Sequence, residues 1–136
     1  MEASLIWGKS SVKKMTKQDT RKHILKIRNS LSKYEVVSAG EDIISDIDEM
    51  IIKNGSMLLL AYMPLGNEID LTPLFKRILS GYYKEKYDID IVLGLPRICK
   101  KEMKFFRVKS LYDLYNLKKS SFGILEPDEN CEEITA

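Results

Sequence analysis
The run MLLLAYMPLGNEID, Met57 to Asp70, carries the most structural information in the chain. Met57 to Tyr62 is apolar without a break and lies between Gly55 and Pro64, the pattern of a strand buried on both faces inside an α/β sheet. Behind it comes a short polar loop with Glu68 near its end, and then Thr72 and Pro73, which suit the cap and first position of a helix through Leu74, Phe75, Ile78 and Leu79 to Gly81. A strand followed by a helix is the repeating step of α/β folds, and ligands in such folds gather beyond the carboxyl ends of strands.

Upstream, Thr16 opens a helix whose apolar face is Ile24, Leu25, Ile27 and Leu31. Ser32 with Glu35 fits a capping box for a second helix that stops at Asn54 and Gly55. Downstream, Ile89 to Leu95 reads as a strand stopped by Pro96. Met103 to Val108 reads as another, antiparallel to it across Lys100 and Lys101, followed by a helical turn from Ser110 to Leu117 and a short apolar piece, Phe122 to Leu125. The order α-α-β-α-β-β predicts a three-layer α/β/α architecture around a mixed, mostly parallel sheet. Three segments follow: an N-terminal extension over 1–15, a single α/β domain over 16–127 and a solvated acidic tail over 128–136.

Composition narrows the class. At 136 residues, with 44% apolar and 31% charged side chains, the chain is large enough for a hydrophobic core and has neither a collagenous nor a disordered composition. Cys99 and Cys131 lie in no metal-ligand spacing, which argues against a disulfide framework or a bound metal and makes a reducing cytoplasm the expected compartment. No apolar run approaches the roughly 20 residues of a membrane span. The net charge of +2 conceals an uneven distribution, with eight bases against Glu2 and Asp19 in residues 1–28, and five acids without a base in the last eleven residues.

Lys17 and Arg21, four apart, project from one face near the amino end of the first helix. They read either as a grip for a polyanion or as a solvated basic face. Glu68 suits a planar amino-heterocycle, with Met63, Pro64 and Leu65 as an apolar wall, or else simply precedes a helix amino terminus, where acids are stabilised anyway. Arg97 follows a strand end and reads as an anion contact or as part of a solvent-facing hairpin. Phe105 and Phe106 point to opposite faces of a strand, so one belongs to the core and the other is free to stack on a ring. His23 lacks a paired acid, SGYYKEKY lacks the glycines of a phosphate cradle, and no serine sits in a nucleophile elbow, so no catalytic residue is assigned.

Taken in order, KQDTRKHILKIRNSLS, LAYMPLGNEIDLTPL, LPRICKKEMKFFRV and FGILEP resemble the successive motifs of the 5-formyltetrahydrofolate cyclo-ligases, also called 5,10-methenyltetrahydrofolate synthetases, over their N-terminal two-thirds. The resemblance implies an enzyme that uses ATP and Mg2+ to convert 5-formyltetrahydrofolate to 5,10-methenyltetrahydrofolate. It implies that Lys17 and Arg21 contact the ATP phosphates, that Glu68 binds the pterin, and that Met63, Leu65, Arg97 and Phe106 line the pocket. The family's later strands and its glycine-rich stretch ending in GYYDR have no counterpart here, Thr20 stands where leucine is usual, and Tyr82 to Asp90 is a longer link. An incomplete sheet implies impaired turnover and self-association through an exposed edge. A non-catalytic folate or nucleotide binder is the alternative, and a nucleic-acid module resting on the basic first helix ranks last, because no aromatic platform accompanies those bases.

Overall fold
In the computed structural model, which describes residues 15–135, a reciprocal cap starts the first helix, α1 (Lys17–Ser30). The Asp19 amide donates to Thr16 Oγ1 at 3.0 Å, and the Thr16 amide donates to Asp19 Oδ2 at 3.2 Å. None of its side chains is buried. The expected N-terminal extension falls, except for Met15, outside the described residues. Contacts divide the chain into two compact units at Ser32 and Lys33, so α1 belongs to one and everything that follows to the other, where the sequence predicts a single domain over 16–127.

The second unit begins with α2 (Lys33–Asn54), which ends as its Asn-Gly sequence requires: Gly55 adopts a left-handed φ of 82°, and its amide returns to the Ile51 carbonyl at 2.8 Å. Then follow β1 (Met57–Leu60), α3 (Thr72–Leu79), α4 (Tyr82–Tyr87), β2 (Ile91–Cys99), β3 (Glu102–Val108), α5 (Leu111–Tyr115), β4 (Lys118–Lys119), β5 (Leu125–Glu126) and β6 (Glu133–Ile134). One sheet has the order β1-β2-β3-β6, and β4 pairs with β5 separately.

Two expectations about the sheet are corrected. It is mixed but mostly antiparallel, since only β1 and β2 run parallel, while β2-β3 and β3-β6 are antiparallel. The cause is the tight reversal at Lys100, whose φ of 61° turns β2 straight back into β3 and leaves no crossover helix. Within this unit the helices pack on one face of the sheet. Met57, Leu59, Ile91, Leu93 and Leu95 pack on α2, α3 and α4 through Ile44, Ile47, Ile51, Leu74, Phe75 and Tyr83. On the opposite face Leu58 and Leu60 remain 51% and 47% exposed. β1 is therefore an edge strand with alternating burial, and not a strand buried on both faces.

β2 also passes through Pro96, which the sequence suggests as its end. The amide of Ile98 points away from β3, so by the two-residue period of a strand the Pro96 nitrogen faces the same side. β1 has already ended there, at the pairing of Leu60 with Gly94. A proline at that position forfeits no ladder hydrogen bond. Gly94 has its own constraint: a β-carbon placed on it would lie 2.6 Å from Ile134 Cδ1 and 2.7 Å from Leu60 Cδ2. Gly94→Val is expected to push both side chains off the sheet and cost roughly 1–3 kcal/mol in chemical denaturation.

Behind the helices, the Tyr83 hydroxyl donates to Asp48 Oδ1 at 2.6 Å, and Arg77 Nη1 donates to the same oxygen at 3.2 Å. Burial of the ring first, and then the bond to Asp48, push the phenol from 10.0 up to about 12. The folded chain therefore holds this proton more tightly than the unfolded one. The stability it contributes is complete below pH 10 and is lost as pH climbs through about 12. Tyr83→Phe is expected to abolish that alkaline step in pH-dependent unfolding and to cost about 1 kcal/mol at neutral pH.

Candidate functional site
Beyond Leu60 the chain makes one more contact with β2, from the Ala61 amide to the Gly94 carbonyl at 3.0 Å, and then turns away at Met63 and Pro64 while β2 continues to Cys99. The loop so formed, residues 62–70, is tied internally. The Tyr62 hydroxyl donates to the Ile69 carbonyl at 3.1 Å, and the Leu65 amide donates to Glu68 Oε1 at 2.8 Å. The Glu68 amide returns to the Leu65 carbonyl at 3.3 Å, and Gly66 supplies the left-handed φ of 62° that this reversal needs. Asp70 Oδ1 accepts from the Thr72 amide at 2.9 Å and joins the loop to the first turn of α3. Burial of the Tyr62 ring, and then the charges of Glu68 and Asp70, hold its phenol above the ordinary range.

Glu68 is thus a half-buried carboxylate fixed in orientation by a loop at the carboxyl end of a parallel strand. Met63 is buried and anchors the loop in the core beside Leu71, Phe75, Leu93 and Leu95, whereas Leu65 stays exposed on the loop surface. The observed cap of α3 is Leu71 and not Thr72, and the side-chain acceptor at that helix start is Asp70.

The FGILEP segment lies beside the part of β2 that β1 leaves uncovered. Glu126, 8% exposed, accepts the Ile98 amide through Oε2 at 3.0 Å, and Arg97 Nη1 donates to the Pro127 carbonyl at 2.9 Å. Ile124 packs on the same core cluster that holds Met63, so the loop and this segment are anchored in one apolar layer. Arg97, read from sequence as an anion contact, is half-buried, and one of its nitrogens serves the chain's own backbone. Phe106 pairs with Leu95 on the helix-covered face and is buried, which makes it the core member of the Phe105–Phe106 pair. Glu126 is the residue that sequence reading passed over. Its signal was an acid closing a short apolar stretch directly before a proline.

On α1, Lys17 and Arg21 are exposed and line one shallow recess together with Thr20, Ile24, Leu25 and Arg28. Two cations above an apolar floor, one turn apart near a helix amino end, suit a phosphate ester. No group of His, Cys, Asp and Glu among the described residues is arranged to hold a metal ion.

No protein-family model matches the chain, and no curated protein does. Among solved structures it is similar to the NMR structure of Aquifex aeolicus 5,10-methenyltetrahydrofolate synthetase, at 34% sequence identity and a TM-score of 0.66. The match covers 88% of this chain and 55% of the synthetase, so the chain spans about half the length of that relative. No helix among the described residues is long and apolar enough to cross a membrane.

The role of Glu126 can be tested apart from any ligand. Glu126→Ala leaves the Ile98 amide without its acceptor, a loss of about 1–3 kcal/mol. Hydrogen exchange at Ile98 is expected to accelerate in that variant, while exchange in α2 stays at the wild-type rate.

Proposed function
We propose that this chain binds 5-formyltetrahydrofolate and ATP with Mg2+ and contributes to the cyclo-ligase reaction that yields 5,10-methenyltetrahydrofolate. The observation carrying the proposal is the fixed carboxylate of Glu68, held by the Leu65 amide in a loop at the carboxyl end of β1. A planar pterin presents adjacent N–H donors, which a carboxylate of set orientation accepts better than a freely rotating one. Leu65 supplies apolar contact beside it, Met63 anchors the loop from the core, and Lys17 with Arg21 neutralise the phosphates. In this reading Arg97 and Phe106 act from beneath the pocket: Arg97 fixes the FGILEP segment and Phe106 fills the layer under it.

The reaction that the family resemblance implies starts with attack of the formyl oxygen on the terminal phosphorus of ATP, which releases ADP. N10 then closes the ring and inorganic phosphate departs. Bases, a carboxylate and apolar walls suit such chemistry, because positioning and charge neutralisation dominate phosphoryl transfer. A reducing cytoplasm is the compartment proposed for it, and Cys99 and Cys131 are both free thiols.

Calorimetric titration with each ligand tests the binding step. Lys17→Ala and Arg21→Ala are each expected to weaken ATP binding roughly tenfold, about 1.4 kcal/mol, and to leave folate binding unchanged. Glu68→Gln is expected to do the reverse. Absence of saturable binding of either ligand by the parent chain overturns the proposal. Binding of both without formation of the methenyl product removes the reaction and leaves a binding protein.

A further inference from the structure
The acidic residues 128–135 are held against the sheet, and the manner of their docking specifies a surface. β6 pairs with β3 at Phe105 and Phe106, and the Arg107 amide donates to the Glu132 carbonyl at 2.7 Å. Successive carboxylates point to opposite faces and meet cations on each. Glu133 lies 3.9 Å from Lys104 on one face, while Glu132 lies 3.2 Å from Lys109 and 4.0 Å from Arg107 on the other. Ile134 inserts over Gly94, where the absent side chain leaves a notch shared with Leu60. The edge of β3 thus reads backbone, charge on both faces and one branched apolar residue, a fuller specification than edge pairing alone.

Every electrostatic contact in this set is solvent-exposed, and the ladder spans two residue pairs, so the segment is held loosely. The link to the rest of the chain is a turn at residues 128–131, closed by the Cys131 amide on the Asp128 carbonyl at 3.0 Å and braced by Lys118 on Asp128 at 3.1 Å. Opening that turn frees the strand with its sequence unchanged, and a second copy of the chain carries the same groove.

We propose that the outer edge of β3, with Lys104, Arg107, Lys109 and the Gly94 notch, is a self-complementary docking site through which two copies exchange residues 132–134. Contacts within one chain and between two are then identical in kind, and hinge opening and protein concentration set the balance between them. The occupant is a second copy because the groove's charges and notch match this chain's own Glu-Glu-Ile.

Charge reversal separates the two arrangements. In Glu132→Lys with Glu133→Lys, a basic strand faces a basic groove; in Lys104→Glu with Arg107→Glu and Lys109→Glu, an acidic strand faces an acidic groove. Each variant alone is expected to sediment as a monomer, and their equimolar mixture as a heterodimer, in which each strand finds a groove of opposite sign. Association is expected to weaken at least about tenfold between low salt and 1 M NaCl, as exposed ion pairs require. The milder pair Glu132→Lys and Lys109→Glu repeats the test should the fuller reversals alter circular dichroism. A mixture that stays monomeric, or one that assembles equally well in high salt, overturns the proposal.

Discussion
Every other contact of the sheet depends on the change of partner along β2 at Gly94. At Leu93 and Gly94 β2 has β1 on one side and β3 on the other; beyond them β3 remains, and the second edge passes to the FGILEP segment. A strand buried as deeply as Leu93 to Leu95 must satisfy its amides somewhere. The solution is economical: the one position without an amide, Pro96, falls in the interval between the two partners, and the next amide on that side, at Ile98, is met by the carboxylate of Glu126. Leu60 and Ile134, 74 positions apart in sequence, meet over Gly94 because it carries no side chain.

That change of partner also creates the candidate site. Had β1 continued beside β2, the carboxyl end of the strand would be an ordinary sheet edge with no room for a loop such as 62–70. Because the chain departs at Met63, whose side chain stays in the core, the loop is fixed at its base and shaped by its own hydrogen bonds. The carboxylate of Glu68 accepts the Leu65 amide, which ties its orientation to the loop backbone. The similarity to a methenyltetrahydrofolate synthetase gives this geometry a chemical context.

Much of this was legible in the sequence wherever a single residue type dictates local conformation. The Thr16 cap and the Asn54–Gly55 stop follow from backbone preferences that neighbours do not override, and Pro73 marks the start of α3 to within one residue. Faces and partners were less legible. The uninterrupted apolar run of β1 suggested burial on both sides, yet half of it is exposed in the observed sheet, because apolar character alone does not reveal how many layers exist. Pro96 looked like a strand terminator because the rule applies where a partner waits on its amide side, and the absence of that partner is a tertiary fact. The hydrogen-bond partner of Arg97 and the buried position of Phe106 came only from the register.

The acidic segment shows the same limit from the side of electrostatics. Read along the chain, five carboxylates without an adjacent base describe a strand repelled by itself and left to solvent. Charges act through space, however, and the hairpin that brings β3 back along β2 sets Lys104, Arg107 and Lys109 in line with that strand at alternating faces. The segment is neutralised by bases it follows by more than twenty residues, and the same alternation that orders a sheet's side chains fixes which acid meets which base. Local charge density therefore predicts that such a strand needs partners, while topology decides where those partners stand.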